Sequence, residues 1–333
     1  MLERPEHVET RVIDPPRLDH PTQSLVRVRT VGLCGTDVSI FHGSIPVALP
    51  RVLGHEISGE VADGPDSLAR GTRVLIDPNM TCGECARCLE HRENICDRAL
   101  LIGRDRDGGM QDLVVVPASN LHPLPASVPE HVAPAIQMLS TCLHGQRLAR
   151  VDPDMSVVVV GLGVTGSMHV QLARMRGAHA IVGITRSPGK LAMSVWLGAD
   201  VAIGADDPDL VPRTLEATGG GADVVIESAG TVATLGLSVA LARPGGCVLA
   251  YGTITEGDGK FPYYDLYYKE LDVISPRAAT VRDVADAIEI VADGSVDLAP
   301  LVTHRIGPDG VGDALAAGPQ PGRLKTVIEM DAS

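Results

Sequence analysis

The sequence predicts an α/β protein of two domains, one a doubly wound parallel sheet of the Rossmann type and the other rich in β-strands. Its 333 residues exceed the length that one hydrophobic core usually spans. In the middle of the chain, apolar runs alternate with helical patterns, and a glycine-rich turn joins one such run to a helix. The earlier part has short β-type runs broken by glycine and proline instead.

Each domain is assigned from its own pattern. Strands are predicted at 157–160, 180–184, 223–226 and 247–251, with helices at 167–176 and 190–197. Such alternation predicts a parallel sheet with helices on both faces, which we place at residues 148–275. The β-rich domain, with runs at 25–28 and 113–116, takes residues 1–147 and the returning segment 276–333.

Composition excludes several classes of function. The net charge is −14 and the pI is near 5.2, so a basic nucleic-acid surface is not expected and an anionic membrane repels the chain. The sequence has no apolar run of about twenty residues and no signal-peptide pattern. We therefore expect a cytoplasmic protein with no nucleic-acid or membrane partner. Aromatic residues are only 2%, so the core must consist of aliphatic side chains.

Four of the seven cysteines lie close together, at Cys82, Cys85, Cys88 and Cys96. Four thiolates at this spacing fit a closed tetrahedral Zn²⁺ site that leaves no position for a substrate. The alternative is a set of ordinary buried or free cysteines. The dense spacing and the low apolar content of the loop favour a structural zinc.

The glycine-rich turn is Gly161-Leu162-Gly163-Val164-Thr165-Gly166. It follows a predicted strand and precedes a predicted helix, and in this context the glycine motif indicates a dinucleotide-binding site. The first glycine permits the tight turn, the second lets the backbone approach a pyrophosphate, and the third lets helix and strand pack closely. The helix N-terminus then faces the phosphates. A merely tight turn is the alternative to this dinucleotide site.

The end of the next strand indicates which dinucleotide binds. NAD-binding domains usually have an acidic residue there, which binds the ribose 2′-hydroxyl. This chain has Thr185 and Arg186 instead, with Lys190 shortly after. A hydroxyl, a guanidinium and an ammonium suit a 2′-phosphate, so the sequence favours NADP(H). The alternative is that Arg186 stacks on adenine or points to solvent.

A second group of metal-binding residues lies outside the cysteine cluster. Cys34 stands in Gly-Leu-Cys-Gly-Thr-Asp, and His55 and Glu56 follow Gly54. A cysteine and a histidine from separate loops are suited to an open zinc site, which has three protein ligands and one position for water or substrate. Either residue alone would more often be structural, but the accompanying motifs favour a metal site.

Together these motifs resemble the zinc-containing medium-chain dehydrogenase/reductase superfamily, and most of all its branch of polyol, sorbitol, threonine and glucose dehydrogenases. The resemblance covers nearly the whole chain and includes the late segments 268–271 and 297–302. It implies that the β-rich domain is a GroES-like catalytic domain. It also implies metal-assisted hydride transfer between NADP(H) and a secondary alcohol, a polyol or the related ketone, by a homodimer or homotetramer.

The resemblance assigns roles to individual residues. Cys34 and His55 are implied zinc ligands, Glu56 lies beside the metal, and the hydroxyl of Thr36 passes on the alcohol proton. Two positions depart from the family pattern. Gln137 stands where an acidic residue or a cysteine commonly binds zinc. Its amide could coordinate the metal through oxygen or hold a zinc-bound water, and Cys34 and Glu56 then supply the only negative charges. Ser39 stands where many relatives have a histidine of the proton relay, which leaves water or His42 to complete that relay.

Gln137 and Ser39 keep two alternatives open. One is an NADPH-dependent reductase of a C=C or C=N bond that has no catalytic metal. The other is a protein that binds NADPH without turnover, against which the intact set of Cys34, His55 and Glu56 argues. Among the remaining residues, Cys142 and Cys247 are expected to be core thiols. The tyrosines of 263–268 are expected to pack in the interior rather than to line an interface.

Overall fold

The computed structural model describes residues 1–66, 68–254, 259–320 and 322–330. The chain divides into two compact units. The first unit comprises Met1–Ser140, Ala278–Gly294 and Leu298–Ser333, and the second comprises Thr141–Arg277 and Ser295–Asp297. None of the helices within the described ranges is both long and apolar enough to cross a lipid bilayer.

The elements are numbered in chain order. The strands of the described residues are β1 Leu2–Arg4, β2 His7–Val8, β3 Gln23–Leu33, β4 Glu56–Asp63, β5 Arg73–Ile76, β6 Asn79–Met80, β7 Leu100–Leu101, β8 Leu113–Pro117, β9 Leu121–Pro123, β10 Ser156–Val160, β11 Ala180–Thr185, β12 Val201–Gly204, β13 Ala222–Glu227, β14 Ala242–Ala250, β15 Asp272–Ile274, β16 Val302–Ile306 and β17 Lys325–Glu329. The helices are α1 Gly35–Phe41, α2 Ala86–Leu89, α3 Ala133–Leu148, α4 Val164–Met175, α5 Pro188–Trp196, α6 Leu210–Ala217, α7 Val232–Leu241, α8 Tyr263–Tyr268, α9 Val281–Ala292 and α10 Val311–Ala317. Four short 3₁₀ helices cover Glu93–Ile95, Ala118–Asn120, Ala299–Leu301 and Pro308–Gly310.

The first unit is built on a seven-stranded sheet with the order β16-β17-β3-β4-β5-β9, in which β8 also pairs with β3. The long strand β3 is antiparallel to β4, β8 and β17. Its alternate residues Val26 and Val28 are buried, as expected for a sheet with one face on a core. The predicted runs at 25–28 and 113–116 lie within β3 and β8.

The second unit contains a six-stranded parallel sheet with the order β12-β11-β10-β13-β14-β15. Every residue of β10 is buried, because helices cover both faces of such a sheet. All predicted runs of this domain overlap observed strands or helices, which confirms the Rossmann-type architecture. The strand order reverses between β10 and β13, so the carboxyl ends of these strands border the crevice where such sheets bind ligands.

The cysteine prediction is confirmed, and the tyrosine prediction is wrong. Cys142 is 0% exposed and Cys247 is 9% exposed. The four tyrosines of α8 are between 71% and 80% exposed. The side chain of α8 that packs against the core is Leu266. A six-residue surface helix has room for few inward positions, and in α8 the apolar leucine takes one of them.

Candidate active site

The four clustered cysteines converge on one point in the loop between β6 and β7. The Sγ atom of Cys82 lies 3.8 Å from that of Cys88 and 3.5 Å from that of Cys96. The Sγ atom of Cys85 lies 3.6 Å from that of Cys88 and 3.8 Å from that of Cys96. Zn–S bonds of about 2.3 Å in a tetrahedron place the sulfurs roughly 3.8 Å apart, whereas a disulfide needs about 2.05 Å. The cluster therefore has the dimensions of a closed zinc site.

The backbone around this cluster favours thiolates. The amides of Cys85 and Arg98 donate to the sulfurs of Cys82 and Cys96 over 3.4 Å each. Hydrogen bonds from the amides of Glu84 and Cys85 lower the pKa of Cys82 to about 6. Burial raises the pKa of Cys88 to about 12, so the backbone prepares Cys82 as a thiolate, whereas Cys88 would lose its proton on binding the metal.

A second cluster joins Cys34, His55 and Glu56, whose candidate ligand atoms all lie within 4.8 Å of one another. Cys34 follows the end of β3 and caps the N-terminus of α1. His55 and Glu56 stand where β4 begins. Since β3 and β4 are antiparallel neighbours, the end of one strand lies beside the start of the other. The sheet thus brings together two motifs that are separate in the sequence.

Asp37 ties the two loops of this cluster together. It is fully buried, and its carboxylate accepts hydrogen bonds from the amides of Cys34 at 2.9 Å and Gly54 at 3.1 Å. Its Oδ1 atom also lies 3.4 Å from Nδ1 of His55. Burial alone would lower the pKa of His55, but the charges of Asp37 and Cys34 outweigh burial and raise this pKa well above its usual value. The carboxylate therefore orients the imidazole and leaves Nε2 as the nitrogen for a metal.

Glu56 is paired with a buried lysine. Glu56 is 0% exposed and Lys325 is 1% exposed, and Nζ of Lys325 contacts Oε2 of Glu56. The same ammonium donates a 3.0 Å hydrogen bond to the carbonyl of Leu33. Oε1 of Glu56 accepts no hydrogen bond from the part of the chain that the structure describes. One carboxylate oxygen thus faces a cation, and the other is left for a further ligand.

Gly32 provides the space for this ion pair. It stands opposite Glu56 on β4 and opposite Val327 on β17 in the strand register. A Cβ atom at position 32 would clash with Glu56 Oε2 and would come within 2.9 Å of Cε of Lys325. Any larger residue would have to push the two charged groups apart.

Lys325 was not predicted from the sequence, and Asp37 had no predicted role of its own. Lys325 lies 292 residues from Leu33, and only the pairing of β17 with β3 brings the two together. The available signal was a lysine at the start of an apolar strand, where a cation needs a partner. Lys325 also changes the net charge of the site. The sequence indicated only the negative charges of Cys34 and Glu56, and Lys325 adds a positive one.

The remaining predicted residues of the first unit lie as follows. The Thr36 hydroxyl is 3.9 Å from the Cys34 sulfur. Gln137 is half-buried on α3. Its backbone carbonyl accepts a 2.6 Å hydrogen bond from the Ser140 hydroxyl. His42 pairs with Glu6 over 2.9 Å on the surface. A relay through His42 would compete with this exposed carboxylate.

In the second unit, the glycine-rich turn has the expected geometry. Gly161 has a φ of +96°, and a Cβ atom there would come within 2.8 Å of the Ala229 nitrogen. A Cβ on Gly166 would clash with the carbonyl of Gly161, whereas one on Gly163 would meet nothing within 4 Å. Gly163 caps α4, so the backbone is open where a pyrophosphate would approach the N-terminus of this helix.

The end of β11 presents the cationic residues that were predicted from the sequence. Thr185 is the last residue of β11, Arg186 is exposed, and Lys190 is half-buried on α5. The neighbouring strand β12 is followed by Asp206 and Asp207, and Asp207 pairs with Arg213. These acidic residues were not among the predicted site residues, and the sheet places them next to the end of β11.

Comparison with known proteins agrees with this geometry. The sequence model of the alcohol dehydrogenase GroES-like domain matches residues 20–126, and that of the zinc-binding dehydrogenase domain matches residues 164–293. The chain is 30% identical to sorbitol dehydrogenase of Halalkalibacterium halodurans over 85% of its length and 84% of that protein. It is 31% identical to L-galactonate-5-dehydrogenase of Escherichia coli over 85% and 84% of the two chains.

Among solved structures, one similar chain is a Sinorhizobium meliloti protein assigned to the zinc-binding dehydrogenases and solved bound to NADP. It has a TM-score of 0.90 and 31% identity, with coverage of 99% of this chain and 98% of that chain. Both domain types and several relatives therefore agree with the resemblance seen in the motifs. The chain belongs to the zinc-type medium-chain dehydrogenase/reductase family, in its polyol dehydrogenase branch, and is an enzyme of the zinc alcohol dehydrogenase type.

Proposed function

We propose that this enzyme transfers a hydride between NADP(H) and a secondary alcohol or polyol, or the related ketone, with one catalytic and one structural zinc per chain. The observation that carries the proposal is the convergence of Cys34, His55 and Glu56, whose ligand atoms lie within 4.8 Å of one another. A thiolate, an imidazole and a carboxylate on separate loops suit an open zinc site. The glycine-rich turn in the second unit supports the dinucleotide.

The proposed chemistry divides between bound groups and the chain. Cys34 and His55, with Glu56 beside them, would hold a zinc ion that would supply Lewis acidity toward the substrate oxygen, and the nicotinamide would carry the hydride. Asp37 holds the His55 ring in place, since its Oδ1 lies 3.4 Å from Nδ1. Thr36, whose hydroxyl is 3.9 Å from the Cys34 sulfur, is the residue through which we propose that the alcohol proton leaves.

Lys325 strengthens this proposal electrostatically. Its ammonium compensates the charge of Glu56 in a place where both groups are buried. With neutral Gln137 at the fourth expected position, Lys325 would keep the site from being net negative, because zinc and Lys325 together balance the charges of Cys34, Glu56 and the buried Asp37 beside His55. A positive charge near an alcohol oxygen stabilises its deprotonated form and lowers its pKa. The pair therefore suits a site that removes a proton from an alcohol.

The substrate class is proposed from the relatives. Sorbitol and L-galactonate, named for two of them, both carry several hydroxyl groups. We propose a polyhydroxylated secondary alcohol for this chain too. The test is a panel of polyols, sugar acids and simple secondary alcohols with NADP⁺, before and after zinc is removed with a chelator and restored. Turnover of a member of this panel that disappears with the metal supports the proposal.

A reductase without a catalytic metal is the second candidate, and Gln137 is the observation that favours it. An amide is a poorer zinc ligand than a carboxylate, so the catalytic site has a weaker donor than is common in this family. Zinc analysis separates the two candidates. Two zinc ions per chain support alcohol chemistry, whereas one ion that belongs to the cysteine cluster favours reduction of a C=C or C=N bond.

Replacement of Cys85 by serine is expected to remove one zinc ion per chain and to lower the thermal stability of the first unit. Loss of one thiolate opens the tetrahedron, and the folding free energy of such a loop comes largely from its metal. Zinc content and melting temperature are the measurements. Cys247→Ser is the matched control, because Cys247 lies outside both metal clusters. Unchanged zinc content in Cys85→Ser would contradict the structural site.

Replacement of Arg186 by alanine is expected to raise the KM for NADP⁺ about 10- to 100-fold and to leave that for NAD⁺ nearly unchanged. Charged hydrogen bonds contribute about 1.5–3 kcal/mol, and only NADP⁺ has the 2′-phosphate. Steady-state kinetics with both cofactors measure this. Arg282→Ala is the control, since it removes an exposed guanidinium from the first unit. An equal effect on both cofactors, or better use of NAD⁺ by the unaltered enzyme, would contradict the NADP(H) preference.

We also propose that the chain forms a homodimer or a homotetramer through the second unit. Strand β15 is one edge of the parallel sheet, and Val273 in this strand is 45% exposed. The exposed tyrosines of α8 lie shortly before this edge in the chain. An apolar edge strand with neighbouring aromatic side chains is the kind of surface that a second copy covers.

A further inference from the structure

A cluster of neutral polar groups in the second unit has no role in the proposed function so far. The hydroxyl of Tyr251 lies 2.6 Å from that of Thr141, and the Cys142 thiol lies 3.4 Å from the same Tyr251 oxygen. The His169 ring packs edge-on against the Tyr251 ring, with centroids 4.6 Å apart. Cys142 and His169 are buried, whereas Thr141 and Tyr251 are partly exposed. The cluster therefore has two buried members, and its two hydroxyl-bearing side chains are accessible to solvent or to a ligand.

The position of the cluster relates it to one half of the dinucleotide. A dinucleotide crosses the carboxyl edge of the sheet at the point where the strand order reverses, here between β10 and β13. Arg186 marks the β11 side as the adenosine side. Tyr251 directly follows β14, on the opposite side of β10. Its hydroxyl therefore belongs to the half where the nicotinamide would lie.

Thr165 connects the cluster to the glycine-rich turn. The Cys142 thiol points to the Thr165 carbonyl over 3.9 Å, and the Thr165 hydroxyl lies 2.8 Å from that of Ser228. Thr165 stands in the first turn of α4, directly after the phosphate-binding backbone. Polar groups from the start of α4, from α3 and from the end of β14 thus meet at one edge of the sheet.

The two titratable side chains buried in the cluster, Cys142 and His169, are uncharged. Burial lowers the pKa of His169 to about 3 and raises the pKa of Cys142 to about 12, so neither group carries a charge near neutral pH. The backbone of Tyr251 is held as well, because its amide and that of Gly252 both donate to the Glu227 carbonyl, over 2.9 Å and 2.8 Å. Uncharged side chains at this place suit a ring whose charge changes during hydride transfer, since they favour neither redox state through a full charge.

We propose that Tyr251 is a positioning residue for the nicotinamide ring, because its hydroxyl holds the Thr141 hydroxyl in place at the nicotinamide end of the dinucleotide site. This inference rests on the proposed nicotinamide cofactor and does not depend on the substrate. Tyr251 acts through Thr141 and the packing beneath it. Its role therefore appears in how well the nicotinamide is oriented, more than in how tightly the adenosine half binds.

The test compares Tyr251→Phe and Thr141→Val with Thr10→Val. The first two variants remove one hydroxyl each from the pair, and Thr10→Val removes the hydroxyl of an exposed threonine in the first unit. Binding is measured with NADPH and with 2′-phosphoadenosine diphosphoribose, which lacks the nicotinamide. The primary deuterium isotope effect with [4-²H]NADPH reports on the hydride step, and melting temperatures report on folding.

Tyr251→Phe is expected to weaken NADPH binding or lower kcat about three- to tenfold, to raise the isotope effect, and to leave binding of the nicotinamide-free fragment unchanged. This range corresponds to the loss of one neutral hydrogen bond. Thr141→Val is expected to behave alike, and the double variant is expected to be no worse than either single variant. Thr10→Val is expected to match the unaltered enzyme.

Two results would overturn the inference. One is equal weakening of NADPH and of the fragment in Tyr251→Phe, which would indicate a general structural effect. The other is a variant that matches the unaltered enzyme in binding and isotope effect. If no alcohol or ketone is turned over, the proposed function fails, but the two binding measurements still decide the role of Tyr251. If the enzyme prefers NADH, the same comparison uses NADH and ADP-ribose.

Discussion

Replacement of Cys34 by serine is expected to lower the zinc content from two ions per chain to one and to reduce kcat/KM for alcohol oxidation about 10³-fold. Serine keeps the size of the side chain but not the thiolate, and zinc binds a neutral hydroxyl poorly. A Lewis acid contributes several kcal/mol to a transition state in which charge develops on oxygen, and each 1.36 kcal/mol corresponds to a factor of ten. Metal analysis and steady-state kinetics are the two measurements.

The structure offers a matched control for this experiment. Cys247→Ser makes the same exchange at a buried cysteine on β14, outside both metal clusters, and should leave zinc content and kcat/KM near their original values. The two measurements also check each other. Loss of zinc with activity retained would favour the reductase without a catalytic metal. Retention of both zinc ions in Cys34→Ser would remove Cys34 from the ligand set.

Replacement of Lys325 by methionine is expected to lower the melting temperature of the zinc-free protein by about 10 °C. Removing one partner of a buried ion pair leaves the other charge uncompensated, which costs about 3–5 kcal/mol, and a folding unit of this size loses about 2–4 °C for each kcal/mol. Methionine fills a similar volume, so the lost charge and not a cavity is what the experiment measures. Calorimetry of zinc-free and zinc-loaded protein gives the comparison.

Zinc should reduce the effect of this substitution. In Lys325→Met, the carboxylate of Glu56 has lost its ammonium, and a bound metal is the cation that remains within its reach. We therefore expect a smaller loss of stability in the loaded protein than in the zinc-free protein. We also expect alcohol oxidation to require a higher pH, because the site has lost a positive charge that lowers the pKa of the alcohol.

Two further variants show whether the effect of Lys325→Met comes from the lost ion pair or from packing. Lys260→Met makes the same change at an exposed lysine and should leave stability unchanged. The double variant Glu56→Gln/Lys325→Met removes both charges and should regain much of the lost stability, since neither charge is then left alone. A double variant as unstable as Lys325→Met alone would show that the lysine acts by packing and not by pairing with Glu56.

The two clusters of the first unit differ in which residues set their charge. The cysteine cluster is formed by residues near in sequence, and backbone amides lower the pKa of Cys82. The cluster of Cys34, His55 and Glu56 depends on side chains from distant strands, and its charge depends on Lys325. This difference agrees with a structural role for the first cluster and a chemical role for the second.

Much of this protein could be predicted from the sequence because its main signals are local. The glycine-rich turn, the apolar strands around it and the four clustered cysteines each depend on neighbouring residues, so their spacing alone indicates a turn, a sheet or a closed metal site. The motifs around Cys34 and His55 were also visible, and their resemblance to a known family joined them into one site. That resemblance is confirmed by the comparisons.

Only the tertiary structure shows which residues are buried and which distant residues pair, because the spacing of residues along the chain does not determine either. Which buried charge faces Glu56 depends on the pairing of β17 with β3, and nothing near Glu56 in the sequence indicates Lys325. The tyrosines of α8 were expected in the core and lie on the surface. A tyrosine side chain has an apolar ring and a polar hydroxyl, so its residue type does not decide between the two places. The bond between Tyr251 and Thr141 joins residues 110 positions apart. Local patterns specify elements and motifs, whereas burial and long-range pairing arise only when the strands take their order in the sheet.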